Sequence, residues 1–441
     1  MDDPAVIETP EKTGSDKFLT TPLIIIFVTV FIDLIGFGIV IPILPIYAET
    51  APYNATPYEI GMLFAIYSWM QFFFSPILGR LSDKYGRRPI LFISILGSAV
   101  GYFLVGYAGT LFLVFAGRII SGITGGNIST AQAYIADVTS KENRAKGMGL
   151  FGAAFGLGFI LGPAIAGILS KYGIHVPFYF AAALSLINAT ALYFILPESI
   201  KTRAAENQTS SLEKSGKRFG AIDLIYIVPN RLIELFKSLK EKDFGLINLI
   251  YFLLITAFSI MTYAFVLFTS FKFGYSAEQN GYLFAYVGLV SIIGQGVLFH
   301  RLVNRFGEGF LTSAGCLIMA GALLAIPFIG PAAGQGGLTA LLVDAAFLSL
   351  GNAFANPALT SLVSKLSHEH EQGKSLGILQ SGASLARAIG PTIGGILLNN
   401  QFNQVDDTTI FRTFSTASAI MLVAFFAAVY FTKVVRLAGA S

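Results

Sequence analysis

The chain has 441 residues, of which 54% are hydrophobic and only 12% carry a charge. This is more apolar surface than one water-soluble core can bury, so the composition excludes an ordinary soluble globular protein. A single cysteine, Cys316, excludes an internal disulfide framework and a multi-cysteine metal site. The formal net charge of +4 is too small to indicate nucleic-acid binding.

Twelve apolar runs lie between charged or turn-rich breaks. A helix needs about 20 mainly apolar residues to cross roughly 30 Å of hydrocarbon. The predicted spans cover 21–47, 58–78, 90–107, 111–137, 147–170, 177–196, 244–269, 279–299, 309–330, 338–364, 375–398 and 411–432. The sequence therefore predicts an all-α, polytopic membrane protein of twelve transmembrane helices.

A polar central loop at 198–243 divides the spans into two halves of six, residues 21–197 and 244–432. Residues 1–20 and 433–441 are predicted tails. The first twenty residues are acidic and lack a basic region, so the first run is predicted to be a retained span rather than a cleaved signal peptide. Apolar residues at helical spacing over 232–239 indicate an amphipathic helix on the membrane surface or a soluble linker helix.

The distribution of basic residues predicts the orientation. When the N-terminus is placed in the cytoplasm, the outer loops keep only Lys171, Lys272 and Arg412. The other loops and the tails hold nearly all the remaining lysines and arginines. By the positive-inside rule, both termini are predicted to be cytoplasmic, most simply in a plasma (inner) membrane.

The two halves repeat one another in sequence. The segment 79–86 after span 2 is echoed by 300–307 after span 8, with Asp83 replaced by Asn304. The glycine pattern of span 5 is echoed in span 11 at Gly377, Gly390 and Gly395. Duplicated six-helix halves predict a substrate site near the midplane between them, and transport by rocking one half against the other.

The segment 79–89 resembles the GxLaDrxGrr loop of the major facilitator superfamily, between spans 2 and 3 as in that family. The resemblance implies an inner gate that contains Gly79, Asp83, Gly86, Arg87, Arg88 and Asp137. Asp83 would lie against the N-terminus of span 11, and Arg87 would bridge Asp83 to Asp137 in the outward-facing state. The alternative is a positive-inside anchor with no gating role.

Span 4 carries Arg118 in a pattern that resembles the RxxxGxxxG motif of the same family. A buried arginine needs a carboxylate or water, and Asp33 in span 1 is the candidate partner and proton-accepting group. Their depths differ by about 10 Å at 1.5 Å per residue, so direct pairing stays open. The alternatives are that Arg118 extends to the outer interface and that Asp33 makes a structural hydrogen bond within span 1.

Span 5 resembles the antiporter motif of drug:proton exporters in that superfamily. The motif residues are Gly149, Gly158, Gly162, Pro163 and Gly167, with an alanine in place of one glycine. A packing role without bearing on transport direction is the alternative. From Asp33 to Glu198 the chain is similar to the tetracycline-resistance branch, whereas beyond residue 200 only the general superfamily pattern is clear.

Two charged residues lie within spans of the C-terminal half. Asp344 is either functional or simply hydrated near the outer end of span 10. Arg387 in span 11 binds an anionic substrate, compensates a carboxylate such as Asp33 or Asp344, or stabilises the interface between halves. The His-Glu-His segment at 368–370 is too small to indicate a metal site.

No nucleotide-binding or catalytic motif is recognisable, so neither an enzyme nor a cofactor is predicted. The sequence predicts a proton-coupled antiporter that exports drug-like or amphipathic compounds. A uniporter or symporter for sugars or other metabolites, and a non-transporting receptor, are the rivals, and sodium is the rival coupling ion. The predicted partners are a small-molecule substrate, the coupling ion and the lipid bilayer, without nucleic acid, and the chain is expected to be a monomer.

Overall fold

The computed structural model describes residues 20–50, 52–139, 143–199, 242–367 and 372–438. The predicted N-terminal tail, apart from residue 20, lies outside the described residues. So do the predicted central-loop helix at 232–239 and the histidine segment at 368–370.

Six spans form the N-terminal half. Their helices are Thr21–Glu49, Pro57–Tyr85, Arg87–Tyr107, Leu111–Thr124 continued by Asn127–Val138, Arg144–Ser170 and Val176–Ile195. Spans 1 and 5 pack closely on each other, as do spans 3 and 6. Each helix matches the corresponding predicted run, although several extend beyond it by one or two turns.

The C-terminal half repeats this arrangement. Its spans are Lys242–Phe273, Ala277–Phe306, Glu308–Ala325, Gly337–Leu366, Gln372–Leu398 and Asp407–Ala438. Within the described residues, eleven spans have both the length and the hydropathy for a membrane crossing. The remaining one, span 11, is 27 residues long. The prediction of an all-α, twelve-span membrane protein is confirmed.

Local sequence fixes the starts of two equivalent spans. Thr56 accepts a hydrogen bond from the backbone N–H of Glu59 before span 2, and the Glu59 carboxylate binds back to Thr56. Ser276 and Gln279 form the same capping box before span 8. Each box satisfies backbone N–H groups that a helix start leaves without partners. These caps therefore define one end of spans 2 and 8, the second spans of the two halves.

The charged motif does not form the loop that the sequence predicts. Residues 79–85 continue the helix of span 2, and span 3 begins at Arg87. Gly86 alone makes the turn, with φ of +108°. Glycine adopts this conformation without the steric penalty that a Cβ brings. The motif is therefore a tight helix–helix corner that holds its charged groups in fixed positions.

Span 4 is broken in its middle. Its first helix ends at Thr124, two glycines follow, and Asn127 starts the second helix. An added Cβ at Gly126 would lie 2.7 Å from Cα of Ser75 in span 2. The glycines thus allow the backbone of span 4 to approach span 2, and they place Asn127 at a new helix start in the membrane interior.

The two halves touch through a pair of glycine contacts at the end of the bundle remote from the Gly86 corner. An added Cβ at Gly281 in span 8 would lie 2.5 Å from Cα of Gly167 in span 5. At Gly61 in span 2 it would lie 2.9 Å from Cα of Gly395 in span 11. The internal repeat relates these contacts, since span 2 corresponds to span 8 and span 5 to span 11. Small residues thus allow close backbone packing between the halves.

At the other end, which we call the motif side, the same helices have open space beside them. Added Cβ atoms at Gly149, Gly152 and Gly156 in span 5, and at Gly377 in span 11, would meet nothing within 4 Å. On the opposite side, Lys171 in the N-terminal half forms an ion pair of 2.9 Å with Glu278 in the C-terminal half. The two halves are therefore in close contact on the side opposite the motif, whereas these four glycines have open space beside them on the motif side.

Candidate functional site

An ion cluster occupies the corner between spans 2 and 3. Arg87 pairs with Asp83 at 2.6 Å and with Asp137 of span 4 at 3.1 Å. It also donates to the Ser82 hydroxyl at 2.6 Å. The side chains of Arg87 and Asp137 are 8% and 7% exposed, whereas that of Asp83 is 63% exposed. The sequence predicts these two ion pairs for the outward-facing state, whereas here they are present while the glycines on the motif side have open space beside them. Their use as a gate stays a prediction.

Sequence reasoning missed Glu198 as a member of this cluster. Its carboxylate accepts hydrogen bonds from the backbone N–H groups of Arg87 at 2.9 Å and Arg88 at 3.1 Å. It therefore caps the start of span 3, where backbone N–H groups are free and a negative charge is favourable. The hydroxyl of the next residue, Ser199, donates to Asp137 at 3.2 Å. The end of span 6 thus anchors both sides of the corner.

The remaining motif residues have packing roles. The Arg88 side chain lies 5.0 Å from the centroid of the Tyr193 ring and donates to the Tyr193 carbonyl. An added Cβ at Gly79 would lie 3.5 Å from Oγ of Ser129, which is ordinary contact. Gly79 is therefore in ordinary contact with span 4 and is not required for close packing against it in this conformation.

Asp33 lies inside the N-terminal half and is bound by an amide. Its carboxylate accepts a hydrogen bond of 3.2 Å from Nδ2 of Asn127. Both residues line a small pocket with Thr29, Leu91 and Phe151. Asn127 is buried, and its Oδ1 has no hydrogen-bond partner. The partner of Asp33 thus comes from span 4, so the alternative of a hydrogen bond within span 1 is wrong.

Arg118 is 2% exposed, so the alternative that it extends to the membrane surface is wrong. Its Nε donates to the carbonyl of Leu63 in span 2 at 3.2 Å. Its guanidinium lies 4.4 Å from the centroid of the Tyr67 ring, which is a cation–π geometry. The ion pairs of the described residues do not include Asp33 with Arg118. Direct pairing is therefore wrong for this conformation, because a carbonyl and an aromatic face hold the arginine.

Arg387 lies between the two halves. It donates to the Ser384 hydroxyl at 3.1 Å, and its helix, span 11, packs on span 2 of the N-terminal half and on span 7 of its own half. No ion pair joins it to Asp33 or Asp344 within the described residues, so compensation by direct pairing with either carboxylate is wrong here. Asp344 is itself buried, and its Oδ2 has no hydrogen-bond partner among the described protein residues; a functional role and hydration of Asp344 both stay predictions.

The glycines of span 5 serve different contacts. An added Cβ at Gly158 would lie 2.6 Å from Cβ of Leu34, and one at Gly162 would lie 2.7 Å from Cα of Gly38. These two glycines pack span 5 on span 1. Gly167 instead meets span 8 of the other half, and Gly149 faces open space. Pro163 lies within the continuous helix Arg144–Ser170.

Two pseudo-symmetric six-helix halves that pack closely on one side, with charged groups deep in the spans, define a membrane transporter of the alternating-access class. The chain matches the sequence profile of the Major Facilitator Superfamily over residues 26–343 and 332–440. It belongs to that superfamily. The protein is thus a multi-pass integral membrane transporter whose substrate is a small molecule.

Named relatives align over most of the chain. The class H tetracycline resistance protein of Pasteurella multocida is 32% identical, with 84% of this chain and 87% of the relative covered. Multidrug resistance protein 2 of Bacillus subtilis is 30% identical, with 91% and 93% covered. The crystal structure of the human organic anion transporter MFSD10 is similar with a TM-score of 0.67 and 25% identity, covering 92% of this chain and 99% of that one.

Proposed function

We propose that this protein is a proton-coupled antiporter that exports drug-like, amphipathic compounds by alternating access. The observation that carries the proposal is Asp33, a carboxylate in the middle of span 1 that is held by Asn127 beside a pocket. An acidic group at this depth is costly in a membrane and typically marks an ion or proton path. The names of the tetracycline and multidrug resistance relatives support export as the direction.

The conformation described here, with open space on the motif side, is proposed to be the first state of the transport cycle. We assign the motif side to the cytoplasm, so substrate enters from there while Asp33 releases its proton to the same side. Rocking of the halves then opens the opposite side, where the substrate leaves and Asp33 takes up a proton. Return of the protonated protein to the conformation described here completes an exchange of substrate against proton.

The ion cluster is proposed to close the motif side in the other conformation. Asp83 is mostly exposed here, and one of its carboxylate oxygens, Oδ1, pairs with Arg87. In the closed arrangement Asp83 lies against the N-terminus of span 11, where the helix dipole favours a negative charge. Arg87, fixed by Asp137 and Ser82, keeps the corner in place during this movement.

The location and the working unit belong to the same proposal. Basic residues on the motif side support a plasma (inner) membrane with both termini in the cytoplasm. One chain supplies both halves of the cavity, which supports a monomer as the working unit. Spans 1, 4, 7 and 10 are proposed to line the path.

Purified protein in liposomes tests the proposal. A pH-sensitive dye inside the vesicles reports proton movement when tetracycline, or another amphipathic drug from a screened set, is added outside. We expect drug movement to be accompanied by opposite proton movement, and a pH gradient to drive accumulation. Asp33→Asn is expected to abolish accumulation while drug binding in detergent persists. Asp406→Asn, on a loop between spans 11 and 12, is the matched control and is expected to behave like the wild type.

The rivals give different results. A uniporter moves substrate only downhill and without protons, and a symporter moves both in the same direction. A sodium-coupled antiporter responds to a sodium gradient at constant pH. Accumulation by Asp33→Asn equal to that of the wild type would remove Asp33 from the coupling step.

A further inference from the structure

Three buried polar atoms in the N-terminal half have no hydrogen-bond partner. They are Oδ1 of Asn127, Oγ1 of Thr130 and Oγ of Ser94, and the described residues offer none of them a partner. Other hydroxyls in the spans, such as those of Thr262 and Thr392, donate to the carbonyl four residues earlier in their own helix. A buried polar atom that is left unpaired is unfavourable. These three atoms are therefore complementary to a small polar molecule such as water.

Space for water lies next to Asp33. The void that Asp33 shares with Asn127, Leu91 and Phe151 is about large enough for one water molecule. Its lining belongs to spans 1, 3, 4 and 5, so the void lies inside the N-terminal half. The Asn127 amide donates to the Asp33 carboxylate there. A water molecule in the void thus lies beside both the carboxylate and the unpaired oxygen of Asn127.

From this void, polar side chains follow the second helix of span 4 toward the motif side. They are spaced by three, four and three residues, so they share one face of the helix, and we call them the polar row: Asn127, Thr130, Tyr134 and Asp137. The first three are buried, and the side chain of Asp137 is 7% exposed. The row covers about 15 Å at 1.5 Å per residue. It ends at the ion cluster, where Asp137 pairs with Arg87.

Span 3 places a further hydroxyl against this row. Arg87, Leu91, Ser94 and Ser98 lie on one face of span 3, at spacings of four, three and four residues. Leu91 lines the void together with span 4, and the Ser98 hydroxyl lies 3.5 Å from Oγ1 of Thr124 in span 4. Ser94 is between these two contacts on the same face. Its unpaired hydroxyl therefore faces span 4 beside the start of the polar row.

Hydroxyl groups have the chemistry that proton transfer needs, because each can accept one proton while it donates another. Side chains three or four residues apart on a helix have Cβ atoms about 5–6 Å apart, a distance that a bridging water spans. The hydroxyl of Tyr134 donates to the carbonyl of Pro197 at 3.0 Å and still has a lone pair to accept with. The Asn127 amide does not pass a proton in this way and holds the water instead.

We propose that protons move between Asp33 and the motif side through the interior of the N-terminal half, along the polar row. The Asp33 carboxyl group gives its proton to the water in the void. Each hydroxyl then accepts one proton and donates its own to the next water, and the Asp137 carboxylate passes the proton to the solvent on the motif side. Substrate enters between the halves, so proton and substrate use separate routes on this side. This inference rests on the proton coupling proposed above.

A light flash that releases caged protons tests the route with no drug present. Time-resolved infrared spectroscopy of the purified full-length protein in detergent follows the carboxyl stretching band of Asp33, which is identified by its absence in Asp33→Asn. We expect Thr130→Val and Ser94→Ala each to slow protonation of Asp33 about tenfold, which corresponds to about 1.4 kcal/mol in the barrier, because each removes a hydroxyl from the route. After a strongly acidic jump the final amplitude is expected to be unchanged, since Asp33 itself is intact.

Two further variants separate the route from packing. Thr130→Ser keeps the hydroxyl and is expected to protonate Asp33 at the wild-type rate. Thr413→Val in span 12 is the matched control, since it removes an equally buried hydroxyl that donates to the carbonyl of Thr409 at 2.7 Å. It is also expected to keep the wild-type rate. The thermal midpoint of Thr130→Val should be close to that of the wild type, because valine has the shape of threonine and the lost hydroxyl has no partner.

The outcomes separate this inference from the antiport function. Wild-type rates in both Thr130→Val and Ser94→Ala overturn the inference, since the proton then reaches Asp33 from between the halves. A wild-type protein without a titrating Asp33 band overturns it too, because Asp33 then exchanges no proton. If drug is exchanged against protons in liposomes while the variants keep the wild-type rate, antiport stands and the route fails. If the variants slow protonation but no drug moves protons, the route stands and antiport fails.

Discussion

Gly86 shows how one residue position fixes the charged corner. Its φ of +108° lies in a region that side chains disfavour. An added Cβ there would also lie 2.5 Å from Oε2 of Glu198, the carboxylate that caps span 3 through Arg87 and Arg88. The turn and the cap therefore require glycine for two independent reasons.

Gly86→Ala is expected to destabilise the protein by about 1–3 kcal/mol, because the alanine is strained at this φ and displaces Glu198. Thermal unfolding in detergent, followed by Trp69 fluorescence, measures the loss as a lower midpoint. Gly109→Ala is the control, since an added Cβ at Gly109 meets nothing within 4 Å and its φ is not positive. Equal midpoints for the two variants would show that the corner tolerates a side chain.

The sequence predicts the charged side chains of the site better than their partners. The motif places Asp83, Arg87 and Asp137 together, and the structure has both ion pairs. Arg118 instead contacts a backbone carbonyl and an aromatic ring. Because every residue has a backbone carbonyl, the sequence does not show which carbonyl a buried arginine will contact. Asn127 becomes the partner of Asp33 because of the break in span 4, which hydrophobic periodicity does not reveal. Partners that depend on backbone position were therefore missed.

At the scale of elements, the corner between spans 2 and 3 is connected to span 4 and to the end of span 6. Arg87 joins the corner to span 4 through Asp137, and Glu198 joins it to span 6. In the conformation described, the charge of Asp83 is left largely exposed on the motif side. We expect this exposure when the motif side is open, because the proposed partner of Asp83 in the closed conformation is the N-terminus of span 11.

Asp83→Asn is expected to shift the population toward the conformation open on the motif side, because the proposed contact of the Asp83 charge with the start of span 11 exists only in the other conformation. The exposed pair of Asp83 with Arg87 is lost as well, and a pair of this kind contributes little to stability. Gly377→Cys, in a protein whose buried Cys316 is replaced by alanine, provides the reporter, since open space surrounds Gly377. Labelling by an impermeant maleimide in inverted vesicles should become faster. Asp406→Asn is the control. An unchanged labelling rate with intact transport would reduce the motif to a topological anchor.

On the opposite side, one ion pair connects the ends of spans 5 and 8. Lys171 follows the last residue of span 5, and Glu278 lies in the first turn of span 8. The hydrogen bond and the charge of Glu278 raise the pKa of Lys171 above its usual value. Lys171 thus stays charged at neutral pH, and in this conformation its pair with Glu278 joins the two halves.

Lys171→Glu is expected to slow labelling of Gly377→Cys, because repulsion from Glu278 opposes closure of that side. An exposed ion pair contributes about 0.2–1 kcal/mol, so a change of a few-fold is expected. The double reversal with Glu278→Lys should restore the original rate. Lys272→Glu is the matched control, since Lys272 pairs with Asp407 inside one half. If the single and double reversals label equally, the pair does not act between the halves.

Hydrophobic runs predicted all twelve spans because each must present about 20 apolar residues to lipid. They did not reveal where helices continue into charged sequence. Residues 79–85 remain helical although the motif is polar, since backbone hydrogen bonds and the Arg87 ion pairs stabilise the corner. They also did not reveal the break at Gly125 and Gly126, because glycine is common within membrane helices.

At the scale of the whole molecule, two glycine contacts hold the halves together on the side opposite the motif. Gly167 with Gly281 and Gly61 with Gly395 are equivalent under the internal repeat. Both lie on the closed side, and both allow backbones to meet. A rocking motion therefore has to separate these two contacts together while the motif sides of spans 5 and 11 approach their partners.

Gly281→Leu tests this relation, because a leucine there cannot fit against the backbone of span 5. We expect it to prevent closure of the side opposite the motif, slow labelling of Gly377→Cys and abolish transport. The control is Gly321→Leu in span 9, where an added Cβ meets nothing within 4 Å. Span 9 packs mainly on spans 10 and 12 of its own half, so this change should leave labelling and transport intact. Normal labelling by a well-folded Gly281→Leu would show that the halves do not need this contact to close.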